Sequence, residues 1–151
     1  MLLGAGVVEN CTVVGNVDSG KDRNPAVGVG KVAIGTVRNC IVAANTNLDG
    51  PAGVGGTYGP ARTTYTLCDV PPLLPGAGCV LCATDEVGFK DAARGDYRLR
   101  RCSPALRAGS VQPWMAAGCD IDGIPRLLQG RFVDMGCHQN PNEDTTVLIL
   151  R

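Results

Sequence analysis

Val8-Glu9-Asn10-Cys11-Thr12-Val13-Val14-Gly15-Asn16 is answered 29 residues later by Val37-Arg38-Asn39-Cys40-Ile41-Val42-Ala43-Ala44-Asn45. Five of the nine positions are identical: Val, Asn, Cys, Val and Asn. A weaker third copy, Thr64-Tyr65-Thr66-Leu67-Cys68, again sets a Cys after a short β-forming run. Each copy is too short and too one-sided to bury its own apolar face. Copies stacked in register bury Val on Val and Cys on Cys, and their strands pair as parallel sheet. Cys11 and Cys40 then form a buried ladder of small residues, with free thiols the preferred state. Asn16 and Asn45, at the end of each copy, mark turns, where Asn tolerates left-handed backbone and can bond the next copy, and Asn10 and Asn39 are structural residues repeated within the copies. The repeat therefore predicts an all-β parallel solenoid.

The rest of the chain agrees with that class. Gly (21) and Pro (10) together make about one residue in five of 151, so no long helical stripe develops. Strands are expected over 7–14, 27–29, 31–34, 37–43, 63–67, 96–101 and 132–135. In Asp96-Tyr97-Arg98-Leu99-Arg100, Tyr97 and Leu99 should face inward, with Arg98 and Arg100 in water. Residues 45–60 read as a Gly-rich excursion on the scaffold. Met1 to Val8 lacks a basic leading region and reads as a strand lead-in, so an export signal is not expected in this chain.

Composition excludes several function classes. Charged residues are 19% with zero formal net charge, which offers nothing to steer the chain to nucleic acid. An apolar fraction of 44% is too high for a disordered chain. No apolar run approaches the roughly 18 residues of a membrane span.

Four blocks in the second half occur in a recognisable order. They are Phe89 to Leu99 with Gly95-Asp96-Tyr97, then Cys102-Ser103-Pro104-Ala105, then Asp120-Ile121-Asp122-Gly123-Ile124-Pro125-Arg126, and finally Val133-Asp134-Met135-Gly136-Cys137. The run resembles the C-terminal end of bacterial right-handed parallel β-helix proteins of the choice-of-anchor Q type, within the pectate-lyase-like superfamily. The resemblance covers about residues 7–139. The family's aromatic-acidic close is replaced by Cys137-His138-Gln139, and its Asp-Pro by Glu86-Val87-Gly88. The resemblance implies a right-handed parallel β-helix with few coils plus a C-terminal cap. Coils would span about 7–68, a loop-rich closing block 69–139 and a tail 140–151. It also implies a secreted or surface location and the C-terminal part of a longer protein.

Function follows as an expectation: a non-catalytic structural or adhesive module that contacts a polysaccharide or surface glycan. No catalytic or cofactor-binding residue is assigned. Self-association is expected at an open N-terminal coil around Val8, Cys11 and Val13. The alternatives are a fragment of a polysaccharide lyase or glycoside hydrolase, and a Cys-rich metal-binding domain. Asp120-x-Asp122-Gly123 suggests Ca²⁺, but Ile124 and Arg126 break the ligand alternation, so a turn is preferred, with Arg126 placed to pair with Asp134. Cys79-Val80-Leu81-Cys82 has zinc-knuckle spacing, yet no second close pair exists, so a loop is preferred. Cys102, Cys119 and Cys137 are the disulfide candidates if the chain meets an oxidising compartment. Trp114 is assigned to capping the last coil rather than to stacking on a sugar. Ser103, Pro104, Asp120, Asp122, Gly123, Arg126, Asp134 and Gly136 are the structural residues of the closing block.

Overall fold

A computed structural model describes residues 2–3, 6–17, 31–32, 35–47, 50–54, 62–70 and 75–141. These residues are mostly β and irregular, with short 3₁₀ turns and no α-helix among them. The first copy is not one strand but two, β2 (Val7–Glu9) and β3 (Thr12–Val14), after β1 (Leu2–Leu3). β4 (Lys31–Val32) precedes the second copy, which likewise splits into β5 (Thr36–Arg38) and β6 (Ile41–Ala43). β7 (Thr46–Asn47) and β8 (Gly50–Pro51) make a small antiparallel hairpin. β9 (Arg62–Thr64) and β10 (Leu67–Cys68) form the third copy, followed by β11 (Val80–Leu81). β12 (Phe89–Asp91) and β13 (Asp96–Leu99) pair antiparallel in the closing block.

The copies stack as parallel rungs. β2, β5 and β9 form one sheet, and β3, β6, β10 and β11 another. Val8 lies against Val37, and Val13 against Val42, which is the 29-residue spacing of the sequence repeat. The next offset is 26 (Ile41 to Leu67) and the last is 13 (Leu67 to Val80).

The break between paired strands has a backbone cause. Asn10, Asn39, Tyr65 and Gly78 all take positive φ, at 50°, 52°, 47° and 71°. Each turns its rung through a corner, and Asn and Gly bear this conformation at least cost. Gly78 is required twice over, because a side chain there would enter the Tyr65 ring.

At the second corner the left-handed residues are Gly15 (70°) and Ala44 (54°), one position before the expected Asn16 and Asn45. Those asparagines bond between rungs instead. Asn16 donates from its backbone N and from Nδ2 to Asn45 Oδ1, at 3.0 and 2.8 Å, and Asn45 Nδ2 donates to Val13 O at 2.9 Å.

The third rung corrects the Cys ladder. Leu67 faces Ile41, so Thr66 stands level with Cys40, and Cys68 lies beside Val42. The shift is two residues, which keeps Cys68 on the inner face. Cys79-Val80-Leu81-Cys82 is not a loop but the fourth rung, with Val80 N donating to Thr66 O at 3.0 Å.

Two apolar cores follow from the alternation. Val8, Val37, Cys40, Val42, Val54 and Cys68 fill the inside of the rungs. Ile41, Ala43 and Leu67 point the other way, onto Val87, Phe89, Leu99, Ala105 and Met135 of the closing block. The β3–β6–β10–β11 sheet is thus covered on both faces, and Ile41, Val42 and Ala43 are all buried. Each fully buried aliphatic chain contributes about 1.5–3 kcal/mol. Tyr97 packs edge-on to Phe89 with ring centroids 5.3 Å apart, while Arg98 and Arg100 face solvent as expected.

Two further expectations change. Residues 132–135 are not a strand: Phe132 makes one antiparallel bridge to Leu128, and Val133 to Met135 are buried by packing. Trp114 caps no final rung, because its Nε1 donates to Glu9 Oε2 of the first copy at 3.0 Å. The strand expected at 27–29 lies outside the described residues, as does Ala33-Ile34 of the run at 31–34.

Candidate functional site

Of the expected structural residues, Asn39 joins the repeats to the closing block. Its Oδ1 accepts from Ser110 N, and its Nδ2 donates to Ser110 O, both at 2.7 Å. Its backbone O accepts from Gly136 N at 2.8 Å. Gly136 (φ 90°) sits so close that a Cβ would lie 2.7 Å from Thr12 Oγ1 and 2.8 Å from Ile41 Cδ1. Asn10 stacks one rung away, accepting weakly from Asn39 Nδ2 at 3.4 Å.

Within the closing block, the Ser103 hydroxyl donates to Val87 O at 2.6 Å and accepts from Ala105 N, and half-buried Pro104 lies between them. Asp134 is buried and accepts from Arg107 N and Asn140 N, both at 2.7 Å. Burial pushes its carboxyl pKa upward, against the opposing pull of those donors. Asn140 is held to the block on its other side too, with Nδ2 donating to Leu99 O at 3.2 Å.

Arg126 does not pair with Asp134. Its guanidinium is buried and donates to Gly136 O at 2.9 Å and to Cys137 O at 2.8 Å. Burial draws its pKa down. These two bonds tie the segment that carries Gly136 to the turn at Asp120–Arg126.

Asp120, Asp122 and His138 are the one group of three among the described residues whose ligand atoms come within metal-binding reach of one another. The arrangement is a turn. Asp120 Oδ1 accepts from Asp122 N and Ile124 N, both at 2.8 Å, and Oδ2 from Gln139 N at 2.6 Å. A carboxylate so engaged has little left to offer a cation. Gly123 supplies the bend at φ 80°. Asp122 Oδ2 lies 2.9 Å from His138 Nδ1. Cys119 and Cys137 do not join this group, and Cys79 and Cys82 make no group of their own.

A pocket of about 280 Å³ opens beside this turn. β12 and β13 supply Lys90, Arg98 and Leu99, the turn supplies Asp122 and Ile124, and the closing segment supplies His138 to Pro141. Arg98 is held by Asp96, with a bond of 2.6 Å from Nη2 to Oδ2. That bond draws the Asp96 pKa down to about 2. Gln139 Oε1 accepts from Asp134 N at 3.0 Å, while its buried Nε2 has no partner. The pocket joins both charge signs and amide groups to two aliphatic side chains.

No family model matches the chain, and no solved structure matches it. A curated protein, the glycogen synthase of Alkalilimnicola ehrlichii, is 43% identical over 56 residues. That stretch is 37% of this chain, and the chain spans 12% of that enzyme.

Sequence reasoning did not find the pocket. Arg98 was assigned only a solvent face, Lys90 and Asn140 were assigned no role, and His138 was noted within the Cys137-His138-Gln139 departure from the family's close. Its walls come from three segments that meet only through the folding of the closing block, so no local spacing reports them.

Proposed function

We propose that the chain is a short stretch of right-handed parallel β-helix with a closing block laid along one side, acting as a non-catalytic surface module that contacts glycans. The supporting observation is the in-register stack of strand–corner–strand rungs with its left-handed corner column. The glycan surface is the pocket beside Asp122. Sugars present hydroxyl edges and C–H faces. Lys90, Arg98, Asp122 and Asn140 suit the first, and Leu99 and Ile124 the second. Its volume lies at the lower bound of small-molecule sites, which fits one end or one unit of a glycan. The partial likeness to an enzyme named for glycogen adds α-glucans to the ligands worth testing.

The full chain, labelled and screened against neutral, uronic-acid-bearing and α-glucan oligosaccharides, should bind at least one class and return it uncleaved. The Lys90→Ala and Asn140→Ala variants should each weaken binding about tenfold, which corresponds to roughly 1.4 kcal/mol. Release of new reducing ends or unsaturated sugars would instead favour the lyase or hydrolase alternative. Absence of binding across the panel removes the glycan role.

The same reading assigns β2 and β3 as sheet edges that pair with a second copy. Each is hydrogen-bonded to a strand on one side among the described residues, and Val7 (53%) and Val17 (74%) expose apolar surface there. Light scattering should show species larger than a monomer that grow with concentration. A monomer at every concentration would count against it.

A further inference from the structure

We propose that Cys11 and Cys40 form a peroxide-responsive thiol pair that closes to a disulfide between the first two rungs. The two residues occupy the same level of neighbouring parallel strands, since Thr12 faces Ile41 and Ile41 N donates to Cys11 O at 2.9 Å. Strands in such a sheet lie about 4.8 Å apart. That falls inside the Cα separation of about 4.4–6.8 Å that disulfides span.

The thiols are oriented by the rungs themselves. Cys11 Sγ donates to Glu9 O at 3.2 Å, and Cys40 Sγ to Arg38 O at 3.1 Å. Cys40 and the backbone Glu9 contact both favour the Cys11 thiolate, against the penalty of burial, and hold its pKa down to about 6. Cys40 is driven upward and keeps its proton.

Accessibility divides the roles. Cys40 is sealed in the core, while Cys11 is partly exposed at the edge rung. Cys11 is thus the sulfur that meets an oxidant, and Cys40 the one that resolves it. Cys79 shares the same level two rungs further on, but Thr66 stands between it and Cys40. Cys68 has its thiol pKa pushed up to about 12 by burial, so it stays a structural residue.

The chemistry balances with a hydroperoxide as oxidant. The Cys11 thiolate attacks the peroxide O–O bond, which breaks to give a Cys11 sulfenic acid and, after proton uptake, one water or alcohol. Cys40 sulfur then attacks the sulfenic sulfur. The S–S bond forms, the S–O bond breaks, and the Cys40 proton leaves with hydroxide as a second water. Two thiols are oxidised by two electrons in all, and one peroxide is reduced.

The reduced full chain, treated with hydrogen peroxide at pH 7 and digested without reductant, tests this. Trypsin separates the cysteines into peptides ending at Lys21 and Arg62, so the disulfide appears as one linked pair lacking two hydrogens. Cys11 should react roughly fourfold faster than an unperturbed thiol, because its larger thiolate fraction outweighs its lower nucleophilicity. Cys40→Ser should halt the reaction at a Cys11 sulfenic acid that a 1,3-diketone traps, and Cys40→Ala serves equally if serine disturbs the core. Cys11→Ser should leave Cys40 reduced. Linkage of Cys11 to another cysteine, or Cys11 passing to sulfinic acid with Cys40 still reduced, would overturn the proposal.

Discussion

Gly136→Ala should cost about 4 kcal/mol of unfolding free energy, among the largest single losses a small-to-small change can cause. The added methyl group would lie 2.7 Å from Thr12 Oγ1 and 2.8 Å from Ile41 Cδ1, inside any tolerable contact. Overpacking of this kind costs about 1–3 kcal/mol. The backbone holds φ at 90°, which adds roughly 1–2 kcal/mol for any residue with a Cβ. Relieving the clash would lengthen Gly136 N to Asn39 O and Cys137 N to Thr12 Oγ1, now 2.8 and 3.0 Å. Gly95→Ala is the matched control. Its φ is 77°, but nothing lies within 4 Å of the added carbon, so only the backbone cost of about 1 kcal/mol remains. Urea titration of both variants reads the difference. Equal losses would mean that the closing block does not seat on the rungs at Ile41.

The second large effect is expected at Asn39. Asn39→Ala removes both bonds to Ser110 and leaves the Ser110 amide without its acceptor, at about 1–3 kcal/mol. Alanine must also adopt φ 52°, for roughly 1 kcal/mol more. The expected total is about 3 kcal/mol. Asn39→Gly loses the same bonds without the backbone strain, so it should fall about 1 kcal/mol short of the alanine variant. Asn10→Ala bears the same backbone cost at φ 50° but loses only a long 3.4 Å bond, so it should total about 1 kcal/mol, less than either, despite the equivalent place in the repeat. If Asn10→Ala and Asn39→Ala lose equal stability, the junction through Ser110 is not what makes Asn39 matter.

The repeat was legible because one physical demand recurs. Val8 and Val37, Cys11 and Cys40, and Val13 and Val42 must stack, so their identities repeat with the rung. The third rung was aligned two residues off because Thr66 takes the place of Cys. Its hydroxyl donates to Thr64 O at 3.0 Å, much as the Cys11 and Cys40 thiols donate two residues back. A matched letter was sought where only a small donor was needed. The split of each copy into two strands was missed for a related reason. Asn10 and Asn39 lie inside runs of β-forming residues, and nothing local says that they turn the chain sharply.

The closing block hid more. Arg126 was matched with Asp134 on charge, whereas the fold places both against backbone groups: carbonyls for the arginine, amides for the aspartate. Such partners carry no sequence signature, since every residue has them. Trp114 was likewise sent to the wrong end. Its partner Glu9 is 105 residues away and is already engaged by Arg38 at 2.7 Å. The turn at Asp120 was readable, because Asp-x-Asp-Gly states its own local bonds.

The uneven offsets between rungs, 29, 26 and 13 residues, separate two things that most folds tie together. Pairing is conserved from rung to rung while the length of chain between them more than halves. The ladder thus behaves as a chassis and the connecting segments as interchangeable fittings. Segments can be lengthened, trimmed or grafted there without retuning the strands, which makes this small scaffold open to recombination.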